Sequence, residues 1–265
     1  MARPISRGRR VLEGAAYALA FPALLVGLWA ASALLSPNRF FPGPARILEA
    51  FVDTWISESF VVDVLPSLVR LGLGIVISIV LGIVLGAVIG SFRVIRSLFE
   101  PLLEFFRAVP PPVLVPIFLL LLGITDEMKI AVIVSGAVWP VLLNTIEGVR
   151  AVDPVMRETA RSYQLGRATR VWSLLLPSAT PQIMTGVRQS LAVALVLMVI
   201  AEMLGASSSG LGYRISYFQT NYLIAEMWSG ILLLGLIGVA LSLVFQVVER
   251  TVLRWYHGLK EVERA

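Results

Sequence analysis

Six long stretches without a charged residue decide what this chain can fold into. With 57% apolar and 15% charged side chains, its 265 residues offer too few polar groups to cover a soluble globule of this size. Most of the stretches approach or exceed the roughly 20 residues that cross about 30 Å of hydrocarbon as a helix. We therefore predict an all-α membrane protein with six transmembrane helices, at residues 14–38, 71–92, 108–125, 130–146, 189–201 and 227–248.

Basic residues between these stretches predict the orientation, because short loops rich in arginine are retained in the cytoplasm. With the N-terminus inside, the groups around Arg9, Arg93, Arg157, Arg170 and Arg250 fall on the cytoplasmic side. The external segments receive Arg39, Arg46, Lys129 and Arg214. We expect a multi-pass protein of the cell membrane with both termini in the cytoplasm. The net charge of +5 then reflects this topology and contact with anionic lipid headgroups, and nucleic-acid binding has little support.

The N-terminal part is expected to stand apart from the rest. Residues 14–38 form a longer apolar run than the 7–15 residues of a signal-peptide core, so we interpret them as a retained helix. Prolines and a glycine at 42–44 then open a segment whose apolar residues recur at helical spacing, which predicts a helix on the outer face. We divide the chain into an N-terminal part at 1–62, a five-helix core at 63–250 and a cytoplasmic tail at 251–265.

The second and third predicted helices carry unusual residues. Glycines at 82, 86 and 90 predict a groove for a close helix neighbour, within the subunit or at a dimer seam. Pro110, Pro111, Pro112 and Pro116 remove amide donors, which leaves the carbonyls of Phe106 and Pro112 among those without their usual partners. Such backbone is tolerated at membrane depth where it is buried in protein or faces water. We place this segment beside a translocation path, with a structural kink as the alternative.

Charged and amide side chains near the helix ends are the candidates for that path. Arg107 abuts the proline-rich stretch and can offer a fixed positive charge to an anion. Asn144 and Gln189 are candidates for a polar lining, and hydrogen bonding between helices is their alternative role. Snorkelling to the interface is the competing interpretation for every charged residue near a helix end. These charged residues are Arg70, Glu104, Arg107, Glu147, Arg188 and Glu202.

A polar segment at 153–177 interrupts the apolar pattern on the arginine-rich side. Asp153 is a good N-cap and Pro154 suits the first helical position, so a short helix should begin there and carry Glu158. Gly166 offers a stop, and a second short helix is expected to run to Pro177. Thr180 and Pro181 repeat the cap-plus-proline pattern, which predicts the start of the fifth membrane helix.

The residues that catalysis would require are missing. The chain has two lysines and no Gly-rich loop of the P-loop pattern, so it cannot bind ATP in that way. It has no cysteine and a single histidine, His257, and its acidic residues do not cluster, which argues against a metal site. No serine has a plausible histidine and aspartate pair. We therefore expect that the chain is not itself an enzyme.

The polar segment resembles the cytoplasmic signature of the membrane subunits of binding-protein-dependent ABC importers of the type I fold. That signature reads Glu-Ala-Ala, three residues, Gly, nine residues, Ile, one residue, Leu-Pro. This chain supplies Glu158-Thr159-Ala160, Leu174 and Leu176-Pro177, with Gln164 where the glycine belongs. Gly166 lies two residues later and is expected to provide the left-handed turn. The resemblance implies a coupling-helix loop in which Glu158, Thr159, Ala160, Gln164, Gly166 and Pro177 couple to an ATPase.

More of the chain is similar to one subclass, the nitrate, sulfonate and taurine permeases. The matching elements include Ser67-Leu68-Val69-Arg70, Arg107-Ala108-Val109-Pro110, Leu143-Asn144-Thr145, Ala201-Glu202-Met203 and Gly210-Leu211-Gly212-Tyr213. The resemblance implies a homodimer of permeases, two ABC ATPase subunits that hold the ATP and Mg, and an external solute-binding protein. It implies import of a small solute, such as a sulfonate, taurine or nitrate anion.

An ion-coupled secondary transporter is the alternative function. Such a carrier normally has an acidic residue near the middle of the membrane and often has inverted repeats. Here the acidic residues lie near helix ends and no repeat is evident.

Overall fold

The computed structural model of the protein describes residues 7–36, 38–56, 58–205 and 208–256. Within these residues the regular elements are helices, beside an isolated β-bridge between Asn38 and Phe41, so the all-α class is confirmed. His257 and most of the expected cytoplasmic tail lie outside the described residues. The long helices are α1 (Arg7–Leu35), α3 (Leu65–Ser91, after a π-helical turn at Phe60–Val64), α4 (Arg93–Ala108), α6 (Asp126–Arg150), α9 (Leu176–Leu204) and α11 (Ile224–Val252). The shorter helices are α2 (Pro44–Trp55), α5 (Val115–Leu122), α7 (Pro154–Ser162), α8 (Arg167–Arg170) and α10 (Leu211–Thr220).

The predicted count of six membrane-length helices is not confirmed by the described residues. Among the described residues, four helical stretches are long and apolar enough to cross a bilayer: Phe60–Ser91, Asp126–Arg150, Ala168–Leu204 and Ile224–Val252. A fifth candidate is the pair formed by α4 and Pro111–Leu122, which is bent by 86°. The described apolar part of α1, Ala20–Leu35, is shorter than the usual span.

The chain forms two compact units. One comprises Met1–Ser59 and Ile215–Leu233, and the other comprises Phe60–Arg214 and Leu234–Ala265. In the first unit, Trp55 is buried and its indole Nε1 donates to Ser229 Oγ at 2.9 Å. Its ring meets Phe218 edge to face, with the centroids 6.2 Å apart. Trp55 thus anchors the C-terminal end of the predicted outer-face helix, α2, within this unit.

In the second unit, α3 and α6 pack side by side and run in the same direction. A Cβ added at Gly74 would lie 2.9 Å from Ile133 Cβ, and one added at Gly90 would lie 3.0 Å from Val149 Cβ. Residue numbers therefore rise together along the two helices. The glycine face of α3 receives another helix of the same chain, as one of the two sequence-based alternatives predicts.

Helix α9 lies antiparallel to α6 on another face. Gly148 on α6 meets Ala179 on α9, whereas Gly136, further back on α6, meets Leu197. The part of α11 in this unit runs antiparallel to α9, because Gly238 lies close to Leu195, whereas Glu249, further along α11, pairs with Arg188, earlier on α9. These contacts form the three-helix centre of the unit, α3, α6 and α9, on which the site residues are mounted.

The third predicted helix, at 108–125, is wrong as a single element. Helix α4 ends at Ala108, a 3-10 turn covers Pro111–Leu114, and α5 has only eight residues. The prolines cause the break, but the carbonyls that they free are partly satisfied. Phe106 O accepts from Val109 N at 3.3 Å, and Pro112 O accepts from the amide of Val115. The tighter turn thus replaces the missing helical bonds.

Candidate functional site

Helix α7 is a short polar helix between two membrane-length helices, at the predicted position. The carboxylate of Asp153 caps it by accepting from Val155 N at 2.7 Å, and Pro154 opens it, as predicted. Within α7, Ala160 is buried, whereas Glu158 and Thr159 are exposed. The small alanine thus faces the protein, and an acidic side chain is presented outward.

The end of α7 shows how the chain manages without the glycine of the related signature. Gln164 itself adopts the left-handed conformation, with φ of 53°. Leu165 N donates to Ala160 O at 3.1 Å and Gln164 N donates to Arg161 O at 2.8 Å, which together make a Schellman motif. The expectation that Gly166 supplies the left-handed turn is wrong, because the hydrogen bonds of the motif fix that position at Gln164.

The chain after Gly166 forms one continuous helical stretch, and the expected end of a second short helix at Pro177 is absent. Helix α8 passes into a π-helical turn at Val171–Leu175 and then into α9, so Ala168–Leu204 is one helical stretch. Pro177 lies exposed in α9, directly after this π-helical turn and inside the continuous stretch. Pro181 lies inside α9, and Thr180 Oγ1 donates to Leu176 O at 2.9 Å instead of capping a new helix. The predicted helix start at Thr180 is therefore wrong.

Two of the residues predicted for the path come together between α6 and α9. Asn144 Nδ2 lies 3.4 Å from Gln189 Oε1 and donates at 2.8 Å to Pro140 O. Gln182, which precedes Gln189 by seven residues on α9, donates from Nε2 to Asn144 Oδ1 at 3.2 Å. Gln182 and Gln189 are exposed, so this amide group presents polar atoms on the surface of the single chain.

Arg107 and Pro110 lie apart from the amide group in sequence, at the break after α4. The guanidinium of Arg107 is ion-paired with Glu104 one turn earlier, and both side chains are more than half exposed. The neighbouring Phe106 stacks on Trp139 of α6, with the ring centroids 6.5 Å apart. Helix α4 is thus held to α6 on its aromatic side, and its charge is shared with an adjacent carboxylate.

An ionic cluster, buried at Arg70 and Glu202 and exposed at Asp126, joins the beginnings of α3 and α6 to the end of α9. Arg70 Nη1 donates to Glu202 Oε1 at 2.7 Å, and Arg70 Nε donates to Asp126 Oδ1 at 2.8 Å. Glu202 also accepts from Ser67 Oγ at 2.7 Å and from the amide of Gly212 at 2.9 Å. Its side chain is fully buried, so these donors replace the water that the carboxylate loses.

The segment 208–212 wraps around this carboxylate. Gly210 has φ of +123°, and a Cβ there would lie 2.5 Å from Glu202 Cδ. No larger residue fits that backbone and that approach. The Gly210 amide donates to Asp63 Oδ1 at 3.2 Å, which fixes the segment to the turn that precedes α3.

The sequence-based alternatives miss this cluster. Arg70 and Glu202 are only 4% and 1% exposed, so they do not snorkel to the interface. Arg70 lies at the start of one predicted helix and Glu202 at the end of another. If the two helices cross a bilayer in opposite directions, these opposite charges lie on the same side of it. That relation is the signal in the sequence that could have paired them. Among the described residues, no group of His, Asp and Glu has an arrangement that could hold a metal ion.

Comparison with known proteins assigns the chain. Residues 78–256 match the family described as binding-protein-dependent transport system inner membrane component. The chain belongs to this family. It is an ABC importer permease, and the matches do not favour an ion-coupled carrier.

Individual relatives place the permease within the predicted subclass. It is 34% identical over 249 residues to a putative aliphatic sulfonates transport permease protein of Escherichia coli strain K12, covering 91% of this chain and 92% of that protein. It is 29% identical over 248 residues to the taurine transport system permease protein of the same strain, covering 89% and 88%.

A solved structure supports the fold. The permease resembles a chain from an inward-facing conformation of the MetNI methionine ABC transporter, with a TM-score of 0.63 and 17% identity. The match covers 72% of this chain and 94% of that chain. At this identity the likeness shows the fold alone, which is that of a type I ABC permease.

Proposed function

We propose that this permease is the membrane subunit of an ATP-driven importer whose ATPase subunits dock on α7. The observation that carries the proposal is the division of α7 into two faces. Val155, Glu158 and Thr159 follow one another at helical spacing and are exposed, whereas Ala160 is buried against the chain. A partner surface can approach the first face closely, and Glu158 offers it a charge. ATP and Mg belong to the partner, and the permease binds no cofactor.

Six membrane crossings with cytoplasmic termini are part of the proposal. Helices α3 and α6 run parallel, so the chain at 92–125 has to return along the length of α3 before α6 begins. If α3 and α6 span the bilayer, the bent pair of α4 and α5 is therefore the third crossing, and α1 is the first. Arg93 and Arg157 then share the cytoplasmic side, as the positive-inside rule requires. We assign residues 63–250 to the permease core, preceded by an N-terminal part at 1–62.

We place the translocation path along the amide group of Asn144, Gln182 and Gln189. Amide side chains at membrane depth are stable when they face protein or water, because lipid chains offer neither donors nor acceptors for their hydrogen bonds. Gln182 and Gln189 are exposed on the single chain. A second copy of the permease facing this surface would enclose a polar path between the two subunits, which supports a homodimer. Arg107 and Pro110 are assigned to the same path, at its end near α4.

The solute is proposed to be a small anion, of the sulfonate, taurine or nitrate type, delivered by an external binding protein. The support comes from relatives named for aliphatic sulfonates and for taurine, which both carry a sulfonate group. Arg107 can favour such an anion, although its charge is partly neutralised by Glu104.

Replacement of Glu158 by Lys tests the docking of the ATPase. The variant should insert normally but lose most of the ATPase that co-purifies with it, because the exposed carboxylate becomes a like charge for any basic partner residue. The matched control is Glu49→Lys, the same change at an exposed acid of α2, which the proposal places outside the cell. Full ATPase recovery with Glu158→Lys, or equal loss in the control, would refute docking at α7.

A further inference from the structure

A cavity of about 230 Å³ lies behind α7, between the end of α3 and the π-helical turn. Three arginines line it: Arg157 and Arg161 from α7, and Arg170 from α8. None of the described residues that line it is acidic. Three guanidinium groups around one space repel one another unless an anion lies between them.

Two of these arginines have unused donors. The Nε atoms of Arg157 and Arg170 are buried, and neither has a hydrogen-bond partner in the part of the chain that the structure describes. A buried donor of a charged group without a partner is costly, so its partner is expected to be a ligand. Arg157 is held in place because its terminal nitrogen donates to the carbonyl of Val149 at the end of α6. The site is thus anchored to the membrane helices before any ligand binds.

The other wall of the cavity is apolar and continues onto an exposed apolar face of α3. Phe92, Val171 and Leu174 line it beside the arginines. An exposed apolar stripe on α3 leads up to Phe92 at helical spacings of three and four residues. It consists of Leu81, Leu85 and Val88, whose side chains are between 40% and 46% exposed. A ligand that matches both parts has a multivalent anionic head and an apolar body.

We propose that this cavity binds the phosphate headgroup of an anionic phospholipid from the cytoplasmic leaflet. The phosphate oxygens accept from the three arginines, which suit bidentate contacts, and an acyl chain follows the stripe on α3. The bound lipid joins α3 to α7 and α8, and so stabilises the coupling loop from its membrane side. This inference rests on the proposed orientation, in which α7 lies in the cytoplasm.

The test uses the purified full-length permease without ATPase in phosphatidylcholine micelles. Its thermal unfolding midpoint is followed as phosphatidylglycerol, more phosphatidylcholine or inorganic phosphate is added, since a ligand of the folded state raises the midpoint. We expect phosphatidylglycerol to stabilise the protein, phosphatidylcholine to have little effect, and inorganic phosphate to act only weakly. In Arg161→Gln/Arg170→Gln, the phosphatidylglycerol concentration for half the effect should rise roughly tenfold or more. Arg161→Glu changes an exposed residue, so it should fold and lose the effect as well.

The matched control is Arg93→Gln, which removes an exposed arginine next to Phe92 that does not line the cavity. Equal loss in the control would show general attraction to anionic micelles and overturn the proposal. A full response to inorganic phosphate would also overturn it, in favour of a free anion. If the double variant keeps its lipid response but no longer co-purifies with the ATPase, the arginines bind an acidic partner instead. Glu158→Lys should leave the lipid response unchanged, so failure of docking and failure of this site are distinguishable.

Discussion

Arg70 and Glu202, 132 residues apart in the chain, form an ion pair of 2.7 Å with both side chains almost fully buried. The pair ties the beginning of α3 to the end of α9. In the proposed topology it lies at the outer end of the bundle, opposite the coupling loop.

Removal of one partner of this pair should destabilise the permease strongly. Arg70→Met leaves a buried carboxylate that keeps only its neutral donors, at an expected cost of about 3–5 kcal/mol. The double variant Arg70→Met/Glu202→Leu should recover part of that loss, because no uncompensated charge remains. Chemical unfolding in detergent measures both. Glu147→Gln, which breaks the exposed pair with Arg150, is the control and should cost less than about 1 kcal/mol. A loss as small for Arg70→Met as for this control would contradict the role of the pair.

The left-handed residue at the end of α7 offers a gain in stability. Gln164→Gly should stabilise the loop by about 1 kcal/mol, because glycine adopts a φ of 53° without the steric cost of a side chain. Gly166→Ala is the matched comparison. Its backbone is not left-handed, and the added Cβ would meet only Thr169 Oγ1, at 3.8 Å, so little change is expected. Thermal unfolding that shows the reverse order would place the turn at Gly166 after all.

The fold class, the polar helix at 154–162 and its cap could be predicted from the sequence, since apolar runs and an Asp-Pro start are local signals. The left-handed conformation of Gln164 could not be predicted, because the hydrogen bonds of a Schellman motif fix the position of the left-handed residue and accept a glutamine there at a small cost. The continuous stretch that leads into α9 could not be predicted either, because Thr180 and Pro181 have the pattern of a helix start but lie inside it. Arg70 and Glu202 are paired by tertiary packing, which no local pattern reports.

Arg107 should matter for transport more than its exposed position suggests. Arg107→Ala should cut uptake of an anionic solute several-fold with ATPase assembly intact, and Arg107→Lys should restore part of it if charge is what acts. Arg150→Ala is a close control, because Arg150 also forms an exposed ion pair with a glutamate three residues earlier. Normal uptake per folded protein in Arg107→Ala would show that the residue only contacts headgroups.

The topology predicts opposite labelling of two helices. The chain has no native cysteine, so single cysteines at Glu49 in α2 and at Glu158 in α7 can be read without background. An impermeant maleimide added to intact cells should label the first and not the second, and inside-out vesicles should give the reverse. Labelling of both positions from one side would rule out the six-crossing arrangement.

Uptake into proteoliposomes is the most direct measurement of the central claim. The permease is reconstituted with its ATPase and external binding protein, and uptake of a labelled sulfonate or taurine is followed with ATP on the ATPase side. We predict uptake that requires ATP and the binding protein, persists when ionophores collapse the proton and sodium gradients, and is lost in Glu158→Lys. Uptake by the permease alone, driven by an ion gradient without ATP, would contradict the account.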